Sequence, residues 1–266
     1  MMTIKRFEHL NKDDYDVQRF DILGVMMSAI NMNDALKVVE RLIAERRKGY
    51  VCVSPVSTIL ECYENEKIRD IVNQAALVTP DGMPSVWIGK RKGFQNMGRV
   101  YGPDLMKAVC NLSQVKGYRN FFYGATPEVL ERLKTNLLVQ FPKLNICGVC
   151  SPPFRALSDE EDRQLVEQIN RAQADIVWVG LGSPKQDIWM AQHKDRLSAY
   201  VLCGVGAAFD FISGTKKQAP YWMQRCGLEW LFRLCTEPRR LWRRYLIGNT
   251  KFIYLLIKEK IKSINR

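Results

Sequence analysis

The chain has 266 residues, enough to bury one substantial core, with the apolar and charged content of a globular protein and no internal repeat or low-complexity run. Its net charge of +12 is lopsided: residues 216–266 hold thirteen Lys and Arg against Glu229, Glu237 and Glu259, so the rest of the chain is nearly neutral. Residues 1–21 are charged and lack the apolar run of a signal peptide, and no stretch reaches the ~20 apolar residues of a bilayer span. The eight scattered cysteines therefore read as reduced thiols, Cys147 and Cys150 included, because one CxxC without further ligands at metal spacing is weak.

In chain order, residues 1–20 read as a loosely ordered extension. FDILGVMM (20–27) reads as one strand, and Asn33 then caps a helix to about Arg47. YVCVS (50–54) is a short apolar strand followed by a helix over 57–73. Residues 76–79 form a strand that runs into Pro80-Asp81-Gly82, and residues 102–115 are helical. Residues 120–123 form a strand ended by Gly124, after which Thr126-Pro127 opens a helix. Residues 144–149 read as a strand, and Ser158–Glu161 is a capping box for the next helix. DIVWVG (175–180) and YVLCGV (200–205) are strands buried on both faces, with a helix after Pro184 between them.

Strands alternating with helices of this length imply an α/β, Rossmann-like, doubly wound and mostly parallel sheet. Helices alone follow Ser213, so three segments are expected: an extension over 1–20, an α/β core over 21–214, and a helical basic appendage over 215–266. Ligands of such sheets bind beyond the carboxyl ends of the strands, at loops that open helices with anion-favouring N-termini. The loops in question carry Ser54, Asp81 with Gly82, Gly124 with Thr126, Gly182 with Ser183 and Lys185, and Gly204 with Gly206.

Asp81 can reach into a cleft as an acid or base, or it can simply close an Asx turn between Pro80 and Gly82. Gln186 poses a similar choice, since Ser183-Pro184-Lys185-Gln186 fits a capping box in which Gln186 folds back on the cap. Lys185 would add positive charge at the same helix start. The run 204–209 imitates a dinucleotide fingerprint, but Phe209 replaces the third glycine and no acid follows at the ribose spacing, which disfavours a nicotinamide enzyme. His9 and His193 are the two histidines, which argues against a His-based triad or zinc site. Asp14-Tyr15-Asp16 has the spelling of the metal-binding DxD of many nucleotide-sugar transferases but precedes the first strand, so no metal site is expected. Within 238–246, Arg239, Arg240, Arg243 and Arg244 share an arc of about 140° at 100° per residue, with Leu241, Trp242, Tyr245 and Leu246 opposite. Such a basic, aromatic helix suits an anionic membrane face or a nucleic acid.

Seven segments, VTPDGMPSVW (78–87), RVYGPDL (99–105), FFYGATPEV (121–129), SPPF (151–154), GLGSPKQDIWM (180–190), CGVGAAFDFISGTKKQAP (203–220) and GLEWLFRLCTEPRRLWRR (227–244), resemble in content and order the WecG/TagA/CpsF family of bacterial glycosyltransferases. The resemblance implies inverting transfer of a sugar of the ManNAc, ManNAcA or hexose type from a UDP-sugar to a polyprenyl-diphosphate-linked sugar. It implies a peripheral enzyme at the cytoplasmic face of the inner membrane, working in cell-surface polysaccharide synthesis without a metal or other cofactor. By the same resemblance Asp81 is the general base, Gln186 and Ser54 are catalytic residues with it, and Arg233, Arg240 and Arg243 hold the lipid diphosphate. Arg239, Arg244 and Trp242 would join them at the membrane. Two departures stand out: Val56 occupies a position where many members have Asn, and Gln218 one where a basic residue is common. On this reading the partners are the donor, the lipid acceptor and an anionic membrane rather than nucleic acid, with self-association left open. Two other readings compete: a basic nucleic-acid-binding α/β protein, and a peripheral scaffold with a degenerate pocket.

Overall fold

The computed structural model of the chain describes residues 17–264. The expectations for residues 1–16, the Asp14-Tyr15-Asp16 motif and His9 among them, lie outside the described residues.

The chain begins with a hairpin of β1 (Arg19–Ile22) and β2 (Val25–Ser28), where the sequence reads as one strand. Leu23 and Gly24 turn it with φ of 54° and 89°, a two-residue turn of the primed kind that matches strand twist, and the Gly24 amide is held by Asp21 Oδ1 at 3.2 Å. Leucine is an unusual residue at positive φ, so the turn carries little signal. After α1 (Met32–Ala44) come β3 (Gly49–Ser54), α2 (Val56–Glu64), α3 (Glu66–Asn73) and β4 (Leu77–Pro80). The helix expected over 57–73 is thus two, because Asn65 leaves the helical conformation and its Oδ1 caps Lys67 and Ile68.

The chain continues through α4 (Met83–Arg91), α5 (Gly102–Lys116), β5 (Arg119–Gly124), α6 (Pro127–Gln140), β6 (Asn145–Cys150), α7 (Asp159–Arg171), β7 (Ile176–Gly180), α8 (Lys185–His193), β8 (Val201–Gly204) and α9 (Ala208–Ile212). Strands β3 to β8 form one sheet in the order β4-β3-β8-β7-β5-β6, and every neighbouring pair is parallel. One buried apolar layer joins the sheet to α1, α5, α6 and α9, and the other joins it to the hairpin, α2, α3, α7 and α8. Covered on both faces, β3 and β8 are wholly buried, as the apolar runs of central parallel strands require. Trp178 lies fully buried in β7, its indole N–H donating to Asn120 Oδ1 at 2.9 Å.

Beyond Gly214 the described chain is helical: α10 (Tyr221–Arg225), α11 (Glu229–Thr236), α12 (Pro238–Trp242), a π-helical turn (Arg243–Ile247) and α13 (Gly248–Ile264). From Pro238 onward these run on as one rod, since Trp242 and Gly248 keep helical dihedrals. Phe252 and Leu255 seat α13 on the core beside α2. All eight cysteines are unpaired thiols, Cys147 and Cys150 being half-buried along β6.

At the carboxyl edge the ends of β5 and β7 meet at Gly124 and Gly180. Gly124 has φ of 126°, and a Cβ there would lie 2.6 Å from the Gly180 carbonyl oxygen; a Cβ on Gly180 would lie 2.7 Å from the Phe209 ring. Gly124→Ala is therefore expected to cost about 2 kcal/mol or more, from backbone strain and overlap together. Urea unfolding at unchanged m-value measures it, and a variant as stable as the parent would contradict this close approach.

Candidate active site

The carboxyl ends of β3, β4, β5, β7 and β8 surround a cleft of about 480 Å³. Its floor comes from Gly180, Val205 and Phe209, its sides from the loops at Asp81, Thr126 and Gly182–Ser183, and its far wall from Arg233, Arg240 and Arg244. A smaller recess of about 270 Å³ continues from it between Lys217, Thr236 and Glu237, sharing Phe211, Lys216 and Arg233.

Asp81 follows β4 directly and lines this cleft. Its Oδ1 accepts the Gly102 amide at 3.2 Å, and its main-chain oxygen accepts Arg99 Nε. Burial pushes its carboxyl above the ordinary carboxylate range against the pull of the Arg99 guanidinium, and Glu229 pushes the same way as burial. Arg99 extends from Asp81 to Glu229 on α11, with which it pairs closely, while Tyr101 donates its hydroxyl to the other oxygen of Glu229 at 2.7 Å. The Arg99 guanidinium also covers the Tyr101 ring at 4.0 Å. Local sequence patterns assign Arg99, Tyr101 and Glu229 no role in the cleft. Arg99 and Glu229 are 130 positions apart, and the one local signal is an arginine ahead of a Tyr-Gly-Pro helix start.

The loop at 181–187 differs from the capping box expected of it. Pro184 occupies the cap position and offers no side-chain bond, so Ser183 turns inward and donates to Asp187 Oδ2 at 2.5 Å while accepting from Thr58 at 3.1 Å. Gln186, buried at 2%, folds back one residue further, its Oε1 accepting the Gly182 amide at 3.2 Å. Burial raises the Asp187 carboxyl despite its bonds from Ser183 and Cys52. Gly206, at φ 52°, passes the Gln186 amide and lines the cleft with Gly182, Ser183 and Gln186. Thr126 caps α6 through Val129 at 3.4 Å, so the first turn of that 14-residue helix faces the same space.

Other expected site residues are not brought to the cleft surface. Ser54 is fully buried, its hydroxyl turned back to the Cys52 carbonyl at 3.3 Å. Lys185 is exposed and points off the first turn of α8. Gly204 and Gly124 serve close packing, against Met190 with Gln186 and against Gly180 respectively, and Gly82 caps α4 behind the lining. Val56 is half-buried at the start of α2, packed against the core. Of the five tail arginines, Arg233, Arg240 and Arg244 line the cleft whereas Arg239 and Arg243 do not; Arg243 covers the ring of Trp242, which is 43% exposed. The helical arc groups all four arginines, but Arg240 and Arg244, one turn apart, occupy its cleft side, and Arg244 also reaches Ser57 Oγ at 2.6 Å.

The three inward arginines are unevenly matched. Arg240 pairs with Glu237 at 2.7 Å. Arg233 lies over the Phe211 ring at 5.3 Å, and its buried Nε has no hydrogen-bond partner. Desolvation, reinforced by repulsion from Arg233 and Arg240, holds Arg244 below the usual arginine range. Lys216 adds a cation partly compensated by Asp210 at 2.7 Å. A cleft with one perturbed carboxyl on one wall and under-compensated guanidinium groups on the other can take up an anionic ligand and remove a proton from it. His193 lies outside this cleft, its ring between the Trp189 carbonyl at 2.7 Å and Asp162 at 2.8 Å.

The chain is 28% identical over 226 residues, 85% of its own length and of the relative's, to the N-acetylglucosaminyldiphosphoundecaprenol N-acetyl-beta-D-mannosaminyltransferase of Bacillus spizizenii. To the protein of the same name from Staphylococcus aureus it is 26% identical over 246 residues, 92% of this chain and 94% of that one. The sequence pattern of the Glycosyl transferase WecG/TagA/CpsF family matches residues 20–266, and with the cleft at the strand ends this makes the chain a glycosyltransferase and a member of that family.

Proposed function

We propose that the protein transfers an N-acetylmannosamine-type sugar from a UDP-sugar to a polyprenyl-diphosphate-linked N-acetylglucosamine, with inversion at the anomeric carbon. The observation that carries this is the pairing within one cleft of Asp81, its carboxyl raised by burial, with Arg233, Arg240 and Arg244 from the tail. The names of the two relatives supply the sugar and the acceptor. In the reaction the acceptor hydroxyl oxygen bonds to the anomeric carbon as the bond from that carbon to the UDP oxygen breaks. The hydroxyl proton passes to the Asp81 carboxylate, and UDP departs with the bonding pair.

Two diphosphates need compensation, one leaving and one on the lipid. The first turn of α6, the Gly182 loop and Gly206 suit the donor end, where backbone dipoles face developing charge. The arginines suit the lipid diphosphate, which a planar fork of donors matches in two-pronged fashion, and the unpartnered Nε of Arg233 invites an incoming acceptor oxygen.

A lipid-linked acceptor stays in its membrane, so the enzyme goes to it. Among the described residues no helix is long and apolar enough to cross a bilayer. The π turn and α13 instead expose Leu246, Ile247, Ile253, Tyr254, Ile257 and Ile261 beside Lys251, Lys258, Lys260 and Lys262, a composition suited to lying at an anionic interface on the cytoplasmic side. A nucleic-acid partner would explain the charge but not this apolar stripe.

Asp81→Asn is expected to lower turnover by about 10²–10⁴ at unchanged melting temperature and UDP affinity. Near-normal turnover would leave Asp81 as a turn residue. With arginines and helix N-termini supplying the positive charge, EDTA should cost at most a few-fold, whereas complete loss restored by Mg²⁺ or Mn²⁺ would require a metal mechanism. Ile253→Glu with Ile257→Glu should abolish pelleting with anionic vesicles at physiological salt, and the parent's binding should weaken as salt rises. Undiminished pelleting, or retention on DNA in place of vesicles, would remove α13 from the membrane.

A further inference from the structure

The contacts of Arg99 are unusual for a guanidinium next to a candidate base. It touches Asp81 only through the main chain, Nε donating to the carbonyl oxygen. Its Nη2 pairs with Glu229, its Nη1 reaches Gln224 Oε1 at 3.5 Å, and its flat face is taken by Tyr101. No nitrogen is given to the Asp81 carboxylate, whose one protein donor among the described contacts is the Gly102 amide. Yet Arg99 is the first opposite charge acting on Asp81, and Asp81 acts on Arg99 together with Glu229. The Arg99 and Glu229 side chains are 16% and 12% exposed, so water offers little substitute for either partner.

We propose that Glu229 is a positioning residue: by taking the Arg99 guanidinium and the Tyr101 hydroxyl onto its own carboxylate, it keeps Arg99 off the Asp81 carboxyl and leaves that oxygen free to accept the acceptor's proton. The inference rests on the reading of Asp81 as the base. Glu229 belongs to α11, the same tail helix that carries Arg233. Seating that helix would therefore do two things at once, delivering a cation to the lipid diphosphate and diverting a cation from the base.

The groups that face Asp81 fix the direction of the effect. Arg99 from the loop before α5 and Arg233 from α11 pull its carboxyl down, whereas Glu229 pushes it up. Arg244 and Tyr245 from the π turn, and Tyr101, also feel its charge. Glu229→Gln removes the upward push and releases Arg99 toward the carboxylate, and both changes favour the ionised form. The base works ionised, so the rate rises with pH through its pKa, and this acid limb should move to lower pH in the variant. A carboxylate tied to arginine is also a weaker base, so the plateau should fall.

The test uses the full chain with UDP-N-acetylmannosamine and a short-chain prenyl-diphosphate-N-acetylglucosamine acceptor. Glu229→Gln should lose roughly ten-fold in kcat, part of what a general base contributes, and its acid limb should shift down by about one pH unit. Thermal unfolding gives an independent reading through a double-mutant cycle. With Asp81 present the freed Arg99 finds a new partner, so Glu229→Gln should lower Tm modestly; in an Asp81→Asn background it should lower Tm further. An unmoved acid limb, or equal Tm losses in the two backgrounds, would reduce Glu229 to an anchor for α11. Failure of Glu229→Gln to fold would also count against the inference, because a re-paired guanidinium leaves no buried unpaired charge. Asp81→Asn with normal turnover would overturn the base assignment and this inference with it, whereas an inactive Asp81→Asn beside an unmoved limb in Glu229→Gln overturns the role of Glu229 alone.

Discussion

Parallel strand pairing is the constraint from which the rest of this molecule follows. Each parallel neighbour must be reached by a crossover, so every strand of the six-stranded sheet ends at the same edge and hands the chain to a loop there. Five of those loops converge on one cleft. The convergence is tight only because β5 and β7 end in glycines that let backbone approach backbone, with Phe209 packed against the second. Sheet and site are therefore one problem in packing: the residues that admit the loops to one another are the ones that leave room for a ligand between them.

The charges of the cleft come from two parts of the chain. The nearly neutral first part contributes Asp81, desolvated at a strand end; the basic tail contributes guanidinium groups that are short of partners. A buried cation without a carboxylate is costly on its own and becomes favourable when an anion arrives. The few acids of the tail are spent with care, Glu237 on Arg240 and Lys216 and Glu229 on Arg99, so that Arg233 and Arg244 face the cleft with no carboxylate of their own among the described contacts.

Much of this was legible in the sequence. The apolar runs of β3, β7 and β8 and the cap-then-proline at Thr126 give the doubly wound sheet, and its chemistry then directs attention to Asp81, Gly182 and Gly206. What the sequence conceals is side-chain direction within those loops. Ser54 and Gly82 belong to the right segments but face the interior or a helix cap, and Lys185 belongs to the right helix but faces water. Arg99, Tyr101 and Glu229 escape because their meaning lies in a contact across 128 to 130 positions, which no local pattern encodes. The hairpin at Leu23–Gly24 and the break at Asn65 are similar on a smaller scale, since each depends on the backbone dihedrals of one or two residues.

The π turn at Arg243–Ile247 has a geometric consequence for the whole tail. It joins α12 to α13 in one rod, so the azimuth of every side chain beyond it is measured from those before it. An α-helix advances about 100° per residue, and the extra residue accommodated by a π turn displaces the downstream faces by about that angle. With this offset Arg240 and Arg244 look into the cleft while Ile253, Ile257 and Ile261 look away from the core. The turn thus acts as a rotational gauge, fixing the heading of the cleft mouth relative to whatever plane the apolar stripe rests on. Two orientations that a flexible linker would leave independent become a single angle set by five residues.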